Sequence, residues 1–563
     1  MGAIHYYEKE RVFKLDTPHT SYLIGIVDEE GFLGHMYYGA KITDYDVRAL
    51  MRTGEAPFVP SQNNRDRSSF LDVFPMEYPG HGVGDYRESA ISVSDKSGNT
   101  AVQPLYREHK IYAGKPGLPG LPATFGNEEE CETLEIVLAD EVLDLTVTLY
   151  YTAFCDVDVI ARSVRVTNHA KEPVYLTKVF SAALDLDAED YRMLTLHGSW
   201  ARERQIEYRQ IGYGKQSVGS CRGESSHQEH PFVALVSANA GQEQGRVYGF
   251  HFVYSGNFLA QVEKNQFDSL RVVMGIHPQD FKWELKQGET FTAPEVVLTY
   301  SDAGLGGMTR TLHDLYRKHL IRSPYKDRER PVLINNWEAT YFEFDTEKLL
   351  AIAREAKKSG IEMLVMDDGW FGHRNDDNTS LGDWQVNEQK ITGGLKRLVD
   401  QVNEIGLEFG IWFEPEMISP DSDLYRTHPD WAIALPGRTP CRSRNQYVLD
   451  LSRKEVRDYA YECVASILRS ANIAYVKWDM NRQLTDLGSS ALPVENQGEL
   501  LHRYVLGVYE LQERLITEFP ELLLENCSGG GARFDPGMLY YSPQIWCSDD
   551  MDAIERLKIQ EGT

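Results

Sequence analysis

The chain has few cysteines for its length. The seven, Cys131, Cys155, Cys221, Cys441, Cys463, Cys527 and Cys547, are odd in number and form no CxxC pair. That argues against both a disulfide framework and a cysteine zinc site. Basic residues are also scarce: 58 Lys and Arg stand against 85 Asp and Glu, for a net charge of −27. Nucleic acid and anionic membranes both require a basic face, so neither is an expected partner. No apolar run approaches the ~18 residues of a membrane span. Residues 1–14 hold no apolar core of signal-peptide length. Reduced thiols and no leader point to the cytoplasm. The HExxH, HxH and GxSxG patterns are missing, which removes the usual zinc and serine hydrolases.

Aromatics are plentiful, at 11% with 9 Trp and 31 Tyr. They suit apolar cores and the flat faces of sugars alike. Residues 1–305 read as mostly β. Residues 143–149 alternate apolar and polar side chains, the period of a half-buried strand. Tyr248, Phe250, Phe252 and Tyr254 share one face of another strand. Many strands with few helical patterns predict a large β-sandwich. Trp200, after small residues at the end of a run, fits either a core or a sugar-binding cleft. A helix follows over 308–321, and Ser323-Pro324 and Arg330-Pro331 end it, so 306–330 reads as a helical connector.

From residue 331 the period changes to strand, helix, strand. Six strands are expected, starting at Val332, Ile361, Leu407, Tyr475, Leu522 and Gln544. Asp345 caps one helix, and Ser452 opens another as a capping box. Most strands end in acidic residues, the appearance of a (β/α)8 barrel of TIM type, in which strand ends converge at one mouth. The fold class is therefore multidomain, a β-sandwich followed by an α/β barrel, with the barrel over 331–563. No Gly-rich phosphate loop follows the first strand, which speaks against a doubly wound sheet.

The strand ends supply carboxylates, one lysine and tryptophans, but no histidine. Lys477 and Asp479 lie two apart on one face, so the lysine holds the aspartate ionised. Asp549 follows Trp546 and Cys547, an apolar setting that favours a retained proton. One charged and one protonated carboxyl group beside an aromatic surface fit glycoside hydrolysis. Glu414 and Glu416 share a face and form a rival pair. Asp376, Asp377 and Asp550 are expected to cap helices.

Six motifs carry a resemblance: 335–338 (NNWE), 366–372 (MDDGWFG), 412–417 (WFEPEM), 477–482 (KWDMNR), 527–535 (CSGGGARFD) and 548–550 (SDD). With them the chain resembles the α-galactosidases of glycoside hydrolase family 36, bacterial cytoplasmic type, over nearly its whole length. The resemblance implies a retaining double displacement, with Asp479 as nucleophile and Asp549 as general acid/base. It implies a galactose site of Asp367, Asp368, Arg444, Lys477, Asn481 and Cys527, with Trp478 counted in the same motif. Trp200 matches a residue that reaches a neighbouring subunit's site in family tetramers. No metal and no organic cofactor are implied. The implied substrates are small oligosaccharides such as melibiose and raffinose. Family members continue past 558–563, so about six of eight barrel strands and no C-terminal β domain are expected here. Two alternatives stay open: a galactosyltransferase of raffinose-synthase type, and an inactive sugar-binding fragment.

Overall fold

The computed structural model describes residues 2–44, 46–62 and 67–563. Among them, twenty strands from Ile4–Tyr7 to Glu295–Ser301 build three antiparallel sheets of four, six and ten strands. Alternation explains the layering. In the strand Val247–Val253, Tyr248, Phe250 and Phe252 enter one large core. Val247 and Val253 enter a second, under the helix Gly304–His319. That helix sets Met308, Leu312 and Leu315 into the second core, so the connector is packed onto the ten-stranded sheet.

Beyond it, six short strands pair in parallel and in chain order: Leu333–Asn335, Met363–Met366, Glu408–Phe413, Tyr475–Trp478, Leu523–Asn526 and Gln544–Ile545. These are the expected six, and they form a curled parallel sheet. Met363, Val365, Tyr475 and Leu523 pack together on its concave side. Their neighbours Leu364, Met366, Ile411, Val476 and Leu524 face the helices. The helix Thr346–Lys358 contributes Leu349 and Ala353 to that layer, and Leu500–Glu518 contributes Leu511 and Leu515.

Local signals held unevenly. Asp345 caps its helix by accepting from the Lys348 N–H at 2.9 Å. The Ser452 capping box does not form. The helix starts at Lys454 with no side-chain cap, because the Ser452 hydroxyl turns to Asp450. Asp550 does not cap either: Asp552 accepts from Ile554 and Glu555, and Asp550 pairs with Arg202. Among the described residues, no helix is long and apolar enough to cross a membrane.

Candidate active site

The third, fourth and fifth strands of the parallel sheet set the site by their register. Lys477 lies opposite Trp412 on one side and Glu525 on the other. Paired residues of parallel strands point the same way, so all three side chains enter the mouth. They line a cavity of about 950 Å³ with Asp367, Asp368, Arg444, Asp479, Asn481, Asp549 and Trp200.

Asp479 is 5% exposed and held by four donors. The Met480 and Gly529 N–H groups donate to Oδ1 at 2.9 and 3.1 Å. Trp412 Nε1 and Asn481 Nδ2 donate to Oδ2 at 3.1 and 2.7 Å. Burial alone would raise the pKa of this carboxyl. The Lys477 charge, the Asn481 and Trp412 bonds and the Arg444 charge reverse that and hold it below the usual carboxylate range. Lys477 favours the ionised Asp479, as their spacing predicts, without a direct bond between them. Lys477 Nζ bonds Asp367 Oδ2 at 3.1 Å and acts on Asp479 through its field alone.

Asp549 is biased the other way. Burial and the nearby Asp479 charge push its pKa up, against opposing bonds from Trp200 Nε1 to Oδ2 (3.0 Å) and Trp546 Nε1 to Oδ1 (3.1 Å). One cavity thus holds an ionised carboxylate and a carboxyl that favours its proton.

Asp367 accepts from Asn335 Nδ2 at 2.5 Å as well as from Lys477. Asp368 is gripped by Arg374 at 3.0 and 2.8 Å, and burial still raises its pKa. Arg444 reaches the wall from a tight turn, with φ of 48° there and 60° at Asn445.

The other expected residues fall as follows. Trp478 does not line the cavity. Side chains alternate, so between Lys477 and Asp479 it must face the helices, where it donates to Glu416 at 2.7 Å. Cys527 is 2% exposed and close to Asp479, its thiol pKa raised by burial and by the Asp479 charge. Trp200 is not a core residue. It is 61% exposed and bonds this chain's own Asp549. Arg202 holds its loop there through Asp550 and Glu555. The rival pair Glu414 and Glu416 is buried outside the lining. Glu416 is saturated by Arg533, Tyr504 and Trp478. Glu414, which accepts from Gln446, is pushed up to about 7 by burial and the Asp479 charge.

Two donors escaped sequence reading. Trp412 is visible in its motif, but only strand register shows that it reaches Asp479. The Gly529 N–H is a backbone group and leaves no side-chain signal. Among the described residues, no group of three or more His, Cys, Asp or Glu is arranged to hold a metal ion.

Comparison with known proteins follows this geometry. Residues 31–286 match the glycosyl hydrolase family 36 N-terminal domain and residues 290–563 match the Melibiase family. The chain is 52% identical to alpha-galactosidase AgaA of Geobacillus stearothermophilus, over 100% of this chain and 77% of that protein. It is 48% identical to alpha-galactosidase Mel36A of Lactobacillus acidophilus, with the same coverage. The crystal structure of the family 36 alpha-galactosidase AgaB from Geobacillus stearothermophilus superposes with a TM-score of 0.97 at 51% identity, covering 100% of this chain and 77% of that one. Variants of AgaA have been solved with raffinose and with stachyose, each at a TM-score of 0.96.

Proposed function

This chain belongs to glycosyl hydrolase family 36, and we propose that it releases terminal α-galactosyl residues from small oligosaccharides with retention of configuration. Asp479 is the nucleophile and Asp549 the general acid/base. The observation that carries this reading is the opposite protonation bias of two carboxyl groups in one cavity. The raffinose and stachyose complexes of AgaA support substrates of that size.

In the first step an Asp479 oxygen attacks the anomeric carbon while its bond to the leaving oxygen breaks. Asp549 gives its proton to that oxygen. In the second step Asp549 takes a proton from water, the water oxygen attacks the same carbon, and Asp479 is released. Asp367, Asp368, Arg444, Lys477 and Asn481 hold the galactosyl hydroxyls. Trp412 and Trp200 offer apolar faces to the sugars. Arg374 and Lys477 keep the paired aspartates oriented, so they accept from hydroxyls without reorganising.

Residues 1–305 form the β-sandwich domain and 331–563 the catalytic barrel, joined through 306–330. The working form is a cytoplasmic homotetramer, in keeping with the family resemblance. Retention requires carboxyl groups about 5–5.5 Å apart. Proton NMR of the first product formed tests the reading: α-galactose appears first, and initial β-galactose would overturn it.

A further inference from the structure

Besides the Trp200 loop, which lines the cavity, a second segment of the β-rich region, residues 221–228, packs on the barrel loops beside it. The Leu484 N–H donates to the Arg222 carbonyl at 2.9 Å. Ser225 donates to the Ala532 carbonyl at 3.0 Å and accompanies Asp535 at 2.7 Å. His227 Nε2 lies 2.7 Å from the Gly529 carbonyl oxygen. A carbonyl only accepts, so this ring nitrogen carries the hydrogen.

The Gly529 loop runs between the two carboxyl groups. Its N–H donates to Asp479 Oδ1 at 3.1 Å. At Gly530 a Cβ would stand 2.7 Å from the Asp549 amide nitrogen. Both glycines have left-handed φ, 52° and 83°. Glycine loses more conformational freedom on ordering than any other residue, and three in a row have no side chains to pack. Anchors must come from elsewhere. Inside the barrel, Arg533 Nε holds Ser528 Oγ at 2.6 Å. From the β-rich region, Arg204 Nη1 donates to the Gly531 carbonyl at 3.4 Å and Ser225 to Ala532, while His227 holds Gly529, the glycine whose N–H meets Asp479.

We propose that His227 is a positioning residue, which by holding the Gly529 carbonyl aims the Gly529 N–H at Asp479. The proposal rests on the reading of Asp479 as nucleophile. The other charged or titratable groups around Asp479 are Lys477, Arg444, Glu414, Cys527 and Asp549. They come from separate segments, and none bonds His227. A change at His227 therefore reaches Asp479 through the glycine loop.

His227→Phe keeps ring bulk without a donor, and His227→Asn keeps polarity but is too short to reach. His227→Gln keeps a donor at similar reach. Steady-state kinetics across pH, thermal unfolding and the rate of labelling by an activated fluorogalactoside are measured for all three. In the Phe and Asn variants, kcat/KM falls about tenfold, chiefly through kcat. Their acid limb moves to higher pH, because a carboxylate that loses a donor protonates more readily. Labelling slows in step, and the Gln variant recovers most of the loss. If the Phe variant does not fold, the Asn variant carries the same comparison. An acid limb unmoved in a folded variant, with only its melting temperature lowered, would mean that His227 merely docks the domains and would overturn the proposal. Peptide mapping of the label in the unaltered protein tests the nucleophile separately: label away from Asp479 sinks that reading, whatever the variants show.

Discussion

Trp200→Phe removes one hydrogen-bond donor to the proposed acid while keeping an aromatic ring at the cavity rim. In the parent, Trp200 Nε1 donates to Asp549 Oδ2 at 3.0 Å and favours the ionised form. A bond to a charged acceptor contributes about 1.5–3 kcal/mol to stability. Trp200 is 61% exposed, so water replaces much of that bond, and about 0.5–1 kcal/mol is the expected share. Burial and the Asp479 charge, which both favour the protonated form, then meet less opposition. The catalytic acid must be protonated, so activity survives to higher pH. The alkaline limb of kcat/KM moves up by less than about one pH unit, since one unit corresponds to about 1.36 kcal/mol. The assay follows raffinose hydrolysis across pH beside an aryl galactoside whose leaving group needs little protonation. The shift is larger for raffinose. An alkaline limb that stays in place, or moves to lower pH, would refute the assignment of Asp549 as the acid that Trp200 tunes.

Three other outcomes follow. Asp479→Ala loses turnover by at least about a thousandfold, and azide restores it with β-galactosyl azide as product, read by NMR; an α-azide would contradict the assignment. Lys477→Met leaves Asp367 without its buried partner and Asp479 without the cation that keeps it ionised. Breaking a buried pair costs about 3–5 kcal/mol, visible in urea unfolding, and the acid limb of any residual activity moves up. Glu224, fully buried, has its pKa pushed up to about 8 by burial. A raised folded pKa means stability that is fully present below the ordinary 4.5 and lost as pH climbs through about 8. Glu224→Gln therefore melts higher than the parent at pH 8 by a few degrees, and no higher at pH 5; equal melting at both pH values would refute the proton assignment.

Much of this was legible in the chain. Strand period and turn residues placed all six parallel strands within a few residues. A parallel strand buried on both faces needs a short, continuous apolar run, which segments such as 363–366 and 409–413 supply. Strand alternation by itself put Lys477 and Asp479 on one face and Trp478 on the other. Counting Trp478 with the binding set followed its motif against that geometry. The capping box at Ser452 failed for a different reason. The Ser452 hydroxyl donates to Asp450, two residues before it, instead of accepting from the helix N–H groups, a local competition that the capping-box pattern does not register.

The sequence by itself determined which residues end which strands, and therefore which carboxyl groups meet at one mouth, because the alternation of side chains and the order of parallel strands are local properties. Only the tertiary structure decided that the pKa of Asp479 is pushed down and that of Asp549 up. That depends on Trp412 on the neighbouring strand, Trp200 from the β-rich region and the Gly529 amide, each separated from its partner by tens to hundreds of residues. Charge in a buried site is governed by distance in space, and distance along the chain says little about it.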